Sequence, residues 1–124
     1  MRTTSPLGIE EQMTETLIYD ETNGWSKSFP DLDSENTLVV VFAAHEYCDS
    51  PKPLADIRNA FPQSKLIGCS TPVVVCDGAL LEGAIAVGII RFRHTYIRLS
   101  VASVPGFEQS RAAGQQLGQQ LADA

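Results

Sequence analysis

The sequence predicts an α/β fold of the α+β kind. A βαβ unit is followed by an antiparallel hairpin and a C-terminal helix, giving a mixed sheet with helix cover. Three observations carry this. Leu38 to Ala44 is an unbroken apolar run ending at the polar pair His45-Glu46. A proline-led helical stretch and a second short apolar run, Leu66-Ile67-Gly68-Cys69, follow it directly. From residue 84 onward apolar residues alternate, and a helical stretch closes the chain.

Residues 1–36 read as an acidic N-terminal arm, partly ordered, with eight acids against Arg2 and Lys27. Ile9, Met13 and Leu17 lie four apart, which fits a short amphipathic helix over Glu10–Ile18. Asn23-Gly24 reads as a turn. Trp25 and Phe29 either pin the arm to the domain or leave it mobile. The domain proper spans residues 37–124. Thr37–Ala44 is apolar on both alternating sets, as a strand covered on both faces should be. Pro51 and Pro53 suit a helix start, where a missing amide hydrogen costs nothing. Leu54, Ile57 and Phe61 share one helical face, and Pro62 ends the helix. Lys65–Ser70 is the second strand. So short a crossover makes the two strands parallel and the connection right-handed. After a loop at Asp77-Gly78, Ile85, Val87 and Ile89 alternate with Ala84, Ala86 and Gly88. Arg93-His94-Thr95 turns the chain, and Tyr96–Val104 alternates again, predicting an antiparallel hairpin between these two stretches. Pro105-Gly106 breaks it. Glu108–Ala122 is the closing helix, with Ala113, Leu117 and Leu121 as its apolar stripe.

The 124 residues suffice for one domain, and 44% hydrophobic against 19% charged is a globular composition. The net charge of −6 lies in the arm, because residues 37–124 hold seven acids and seven bases. A phosphate backbone would be repelled by the arm and not attracted by the rest, so no nucleic-acid partner is expected. A spanning helix needs about 20 apolar residues, so no membrane insertion is expected. Cys48, Cys69 and Cys76 cannot all pair, and no Cys-x-x-Cys occurs. With no signal-peptide core at the start, a reduced, intracellular compartment is the natural expectation.

Ligands gather outside the carboxyl ends of parallel strands. Here those ends carry His45, Glu46, Gly68, Cys69, Ser70 and Thr71, the candidate ligand-binding residues. Cys69 with His45 as base would suit a thiol enzyme, although a structural cysteine is the simpler reading. Ser70 and Thr71 either hold a carboxylate or phosphate, or satisfy the backbone where a strand ends. His45 is a base, a metal or haem ligand, or a loop histidine. His45, Glu46, Cys48 and Asp49 look metal-like, but four neighbouring loop residues without a partner cluster make a poor zinc site, and no metal is expected. His94 lies near Arg91, Arg93 and Arg98, a solvated face by default and an anion site otherwise. Tyr47 and Tyr96 read as packing residues. Gly-x-Gly-x-x-Gly, a Walker loop, Gly-x-Ser-x-Gly and His-Glu-x-x-His are all absent.

Thr37–Ala44, the prolyl helix ending in Phe61-Pro62 and Leu66-Ile67-Gly68-Cys69-Ser70-Thr71 together resemble the N-terminal part of the FIST domain. In that family an apolar strand ending in Phe plus small residues precedes a helix and an Ile-Gly-Cys-Ser-Thr motif. Leu81–Val87 fits the alternating strand that follows, and the likeness covers residues 37–104. It departs after Thr71, where Pro72-Val73-Val74-Val75 replaces a small residue, Gly and Glu. The resemblance implies a cytoplasmic, non-catalytic sensory domain for small ligands such as an amino acid or small carboxylate. Its partners would be signalling proteins, such as a histidine kinase, a cyclic-dinucleotide enzyme or a chemotaxis receptor. No cofactor is expected. The alternative is haem, since some members look like nitric oxide sensors that inhibit a histidine kinase; His45 or His94 would then be the ligand. Full FIST proteins carry a second, C-terminal part, so residues 37–124 look incomplete beside them. The other two readings are a thiol-dependent enzyme using Cys69 and His45, and an interaction domain forming a homodimer through the hairpin or closing helix.

Overall fold

The computed structural model describes residues 13–123. Strand β1 (Met13–Asp20) turns back through β2 (Gly24–Trp25), and β3 (Thr37–Ala44) leads into helix α1 (Lys52–Ala60) and strand β4 (Lys65–Thr71). A hairpin of β5 (Val73–Cys76) and β6 (Ala79–Glu82) follows, then β7 (Ala84–Arg91) and helix α2 (Ser110–Ala122). Five strands form one mixed sheet in the order β2-β1-β7-β3-β4, and β5-β6 stands as a separate two-stranded sheet. The α+β class, the βαβ unit and the closing helix are as the sequence predicts.

Two elements differ. Residues 13–18 are strand, not helix, while Glu10–Gln12 lie outside the described residues. A spacing of four also fits every second residue of a strand, and β-branched Thr14, Thr16 and Ile18 favour that choice. Met13, Leu17 and Tyr19 therefore share the face that packs the core. The second difference follows from the first. Strand β7 pairs antiparallel with β1 along one edge and with β3 along the other. No edge remains for a returning strand, so Tyr96–Val104 forms no ladder. The hairpin sits instead at Asp77-Gly78, where Asp77 (φ 51°) and Gly78 (φ 81°) supply the left-handed turn that a two-residue connection needs.

Alternation sorts the sheet's side chains into two clusters. On one face Leu17, Val39, Ala43, Ile85, Val87 and Ile89 pack against Ile57 of α1, Phe61 just beyond its end and Leu32 of the preceding segment. On the other, Ala84 and Ala86 meet Val74 and Cys76 of the β5-β6 hairpin. A chain of aromatic contacts runs Tyr47–Tyr19–Trp25–Phe29–Phe61, with ring centroids 4.9–6.1 Å apart. The Trp25 indole N–H donates to Asp56 of α1 at 3.3 Å. Residues 13–36 are thus pinned to the domain. Asp33 adds a clamp, accepting from the Gln63 amide (3.0 Å) and the Ser64 hydroxyl (2.7 Å) just before β4. Thr37 is fully buried, and its hydroxyl donates to the Leu32 carbonyl while meeting the Ser34 hydroxyl at 2.8 Å.

The C-terminal stretch packs less closely. Helix α2 buries only Ala113; Leu117 is half-buried and Leu121 exposed. Tyr96, Val101 and Phe107 are each more than 80% exposed, so Tyr96 is not a packing residue, whereas Tyr47 is.

Candidate functional site

Strands β3 and β4 run parallel, with Phe42 opposite Cys69, Ala43 opposite Ser70 and Ala44 opposite Thr71. This register brings His45 and Ser70-Thr71 to one carboxyl rim. Strand β4 is the sheet's outermost strand on this side, so its second edge has no ladder partner within the sheet. Gly68 sits where the two strands come closest. A Cβ there would overlap the Val41 carbonyl oxygen and meet its carbonyl carbon at 3.0 Å, so only glycine fits.

The rim divides between two concavities. The first is a groove of about 360 Å³ between α1 and β4. Val41, Leu54, Ile57 and Leu66 make its apolar floor, and Gly68, Cys69 and Ser70 border it along the strand. Arg58 of α1 and Cys48 lie on its other side, with buried Tyr47 at the end. By register, Gly68 and Ser70 share the α1 face of the sheet with Val41 and Ala43. The second concavity, about 470 Å³, is acidic: Asp20, Glu21, Glu46 and Glu82 line it beside Gly83. Glu46 thus belongs to a different surface from the Gly68–Ser70 stretch. His45 is exposed and borders neither space, and neither does exposed His94.

Thr71 donates its hydroxyl to the Val73 carbonyl at 2.8 Å, which holds the bend at Pro72 between β4 and β5. The Tyr47 hydroxyl donates to the Gly83 carbonyl at 2.7 Å, tying the rim to the start of β7. Burial, then the charges of Glu21 and Glu46, push that hydroxyl's pKa up, so it stays a proton donor at neutral pH. Cys48 and Cys69 are exposed free thiols, whereas Cys76 is buried and burial raises its pKa. Among the described residues no hydrogen bond joins Cys69 to His45, and no three His, Cys, Asp or Glu side chains are placed to hold a metal ion. The run His45, Glu46, Cys48, Asp49 therefore does not assemble into a site. Neither His45 nor His94, the histidines named above as haem ligands, lines the groove.

Arg58 and the floor residues Leu54 and Leu66 escaped the sequence reading. The signal was present in part: Leu54 and Ile57 mark the helix face that meets the sheet, and Arg58 follows directly.

Comparison with protein families matches the FIST N domain over residues 37–124. The chain belongs to the FIST N domain family. FIST domains are sensory domains linked to signal transduction. No curated protein and no solved structure matches the chain. In this FIST N domain the strands β1 and β2 lie before the matched stretch, yet β1 fills a central place in the sheet. No described helix is long and apolar enough to cross a membrane.

Proposed function

We propose that this FIST N domain is a cytoplasmic, non-catalytic sensory module that takes a small ligand into the groove between α1 and β4. Occupancy would then be read by a signalling protein such as a histidine kinase or a cyclic-dinucleotide enzyme. The observation that supports this is the groove itself. Its volume falls within the range of small-molecule sites, its floor is apolar, and a few polar groups converge on its rim. It also borders an outer strand and a short helix, elements that can shift with less disruption than a central strand.

The test is a thermal-shift screen of amino acids, small carboxylates and medium-chain fatty acids such as octanoate against the wild type and Ser70→Trp, whose indole fills the groove. A ligand at a hundred times its dissociation constant stabilises by about 2.7 kcal/mol. That is roughly 8–12 °C for a domain of this size. Shifts in the wild type that vanish in Ser70→Trp support the proposal, and a flat screen refutes it.

A second reading, an interaction module, is favoured by the exposed apolar groups Tyr96, Leu99, Val101, Val104 and Phe107. Monomers rarely leave a large apolar patch uncovered. Light scattering that shows a concentration-dependent dimer, lost in Val101→Lys, would support it.

A further inference from the structure

We infer that the ligand of the α1–β4 groove is a monocarboxylate with an apolar tail, and not a zwitterionic amino acid. This rests on the groove being the ligand site and specifies what enters it. The first observation is the charge of the lining. Among the described residues Arg58 is the only basic side chain that lines it, and no Asp or Glu borders it. The carboxylates of this end of the molecule, Asp20, Glu21, Glu46 and Glu82, line the other concavity instead. An amino acid brings an ammonium as well as a carboxylate. An ammonium drawn out of water without an anionic partner is costly, so such a site would need an acid it does not have.

The second observation concerns the guanidinium. Among the described residues Arg58 has no ion-pair or hydrogen-bond partner, while the acid on its own helix, Asp56, is engaged by Trp25 and Lys52. A planar fork of donors left free beside a groove suits a bidentate carboxylate. The Ser70 hydroxyl, on β4, is a further donor lining the same groove.

The third observation is the rest of the lining. Val41, Leu54, Ile57, Leu66 and Ile67 offer hydrocarbon and no hydrogen-bonding side chain. A volume of about 360 Å³ holds on the order of a dozen non-hydrogen atoms, at the ~30 Å³ that a water molecule occupies. A short polar acid would leave most of that surface wet. A medium-length aliphatic or aryl-alkyl acid covers it, with its head at Arg58 and its tail along α1.

Calorimetric titration of the full chain with octanoate, L-leucine and octylamine tests this. Octanoate should bind at least tenfold more tightly than either of the others. Arg58→Leu should weaken octanoate by about tenfold or more, the range of a hydrogen bond to a charged group, and Arg58→Lys should keep part of the affinity. Arg58 is exposed, so circular dichroism should show both variants folded. Tighter binding of leucine, equal binding of octylamine, or an unaffected Arg58→Leu overturns the carboxylate assignment while leaving the groove as a site. Octanoate binding that survives in Ser70→Trp, or silence from all three compounds, overturns the groove as well.

Discussion

Replacing Gly68 by alanine should be the most damaging single methyl that can be added to this sheet. The new Cβ would overlap the Val41 carbonyl oxygen and stand 3.0 Å from its carbonyl carbon and 3.1 Å from its Cβ. Two of those atoms are backbone in β3, a strand paired on both sides, so no side chain can swing away to make room. Strand β4 must move outward. Overpacking of this kind costs about 1–3 kcal/mol. Each ladder hydrogen bond lost between β3 and β4 adds about 1 kcal/mol. A total near 2–4 kcal/mol is a large share of the 5–15 kcal/mol typical of a domain. Urea unfolding followed by circular dichroism would show it as a midpoint roughly 1–2 M lower at unchanged slope, for a slope of about 2 kcal/mol/M. Gly114→Ala is the control: a Cβ there meets nothing within 4 Å, and α2 should gain up to about 1 kcal/mol. A Gly68→Ala midpoint within error of the wild type would refute the close approach of β3 and β4.

Thr37→Val keeps the buried shape but leaves the Leu32 carbonyl without its donor, and should cost about 1–3 kcal/mol by the same unfolding assay. Alkylation under native conditions should label Cys48 and Cys69, with Cys76 reacting only on unfolding, since burial both shields its thiol and disfavours the thiolate. Mass spectrometry of the labelled chain reads this directly, and native labelling of Cys76 would contradict the hairpin's packing. The Asp20 carboxylate is held below its ordinary 3.8 by the Asn23 amide, which donates to it at 2.7 Å across the β1–β2 turn. Its contribution to the turn is complete above pH 3.8 and lost as the pH falls through its lower folded value. A carboxyl NMR titration should place its midpoint below 3.8, and a midpoint at or above that value would dismiss the bond.

The βαβ unit was legible because three independent signals agree over residues 37–71. A doubly apolar strand, prolines at a helix start and a short second strand leave one topology open. The common rim follows from parallel pairing alone. Which residues face which concavity was not legible, because it depends on contacts distant in sequence. Glu46 sits beside Gly83, and Gly68 matters for its distance to Val41. The strand at residues 13–20 was hidden because a spacing of four serves helix and strand equally. That ambiguity propagates: with residues 13–18 read as helix, β7 keeps a spare edge that the alternation of Tyr96–Val104 suits. The alternation of residues 96–104 is real, but a strand also needs an edge to pair with.

Amide chemical shifts followed during an octanoate titration test the binding groove most directly. The largest changes should fall on Leu54 and Arg58 of α1 and on Gly68, Cys69 and Ser70 of β4, with Asp20, Glu21 and Glu82 unmoved. Changes centred on those acids, or on the exposed Tyr96–Phe107 stretch, would place recognition elsewhere and contradict the account.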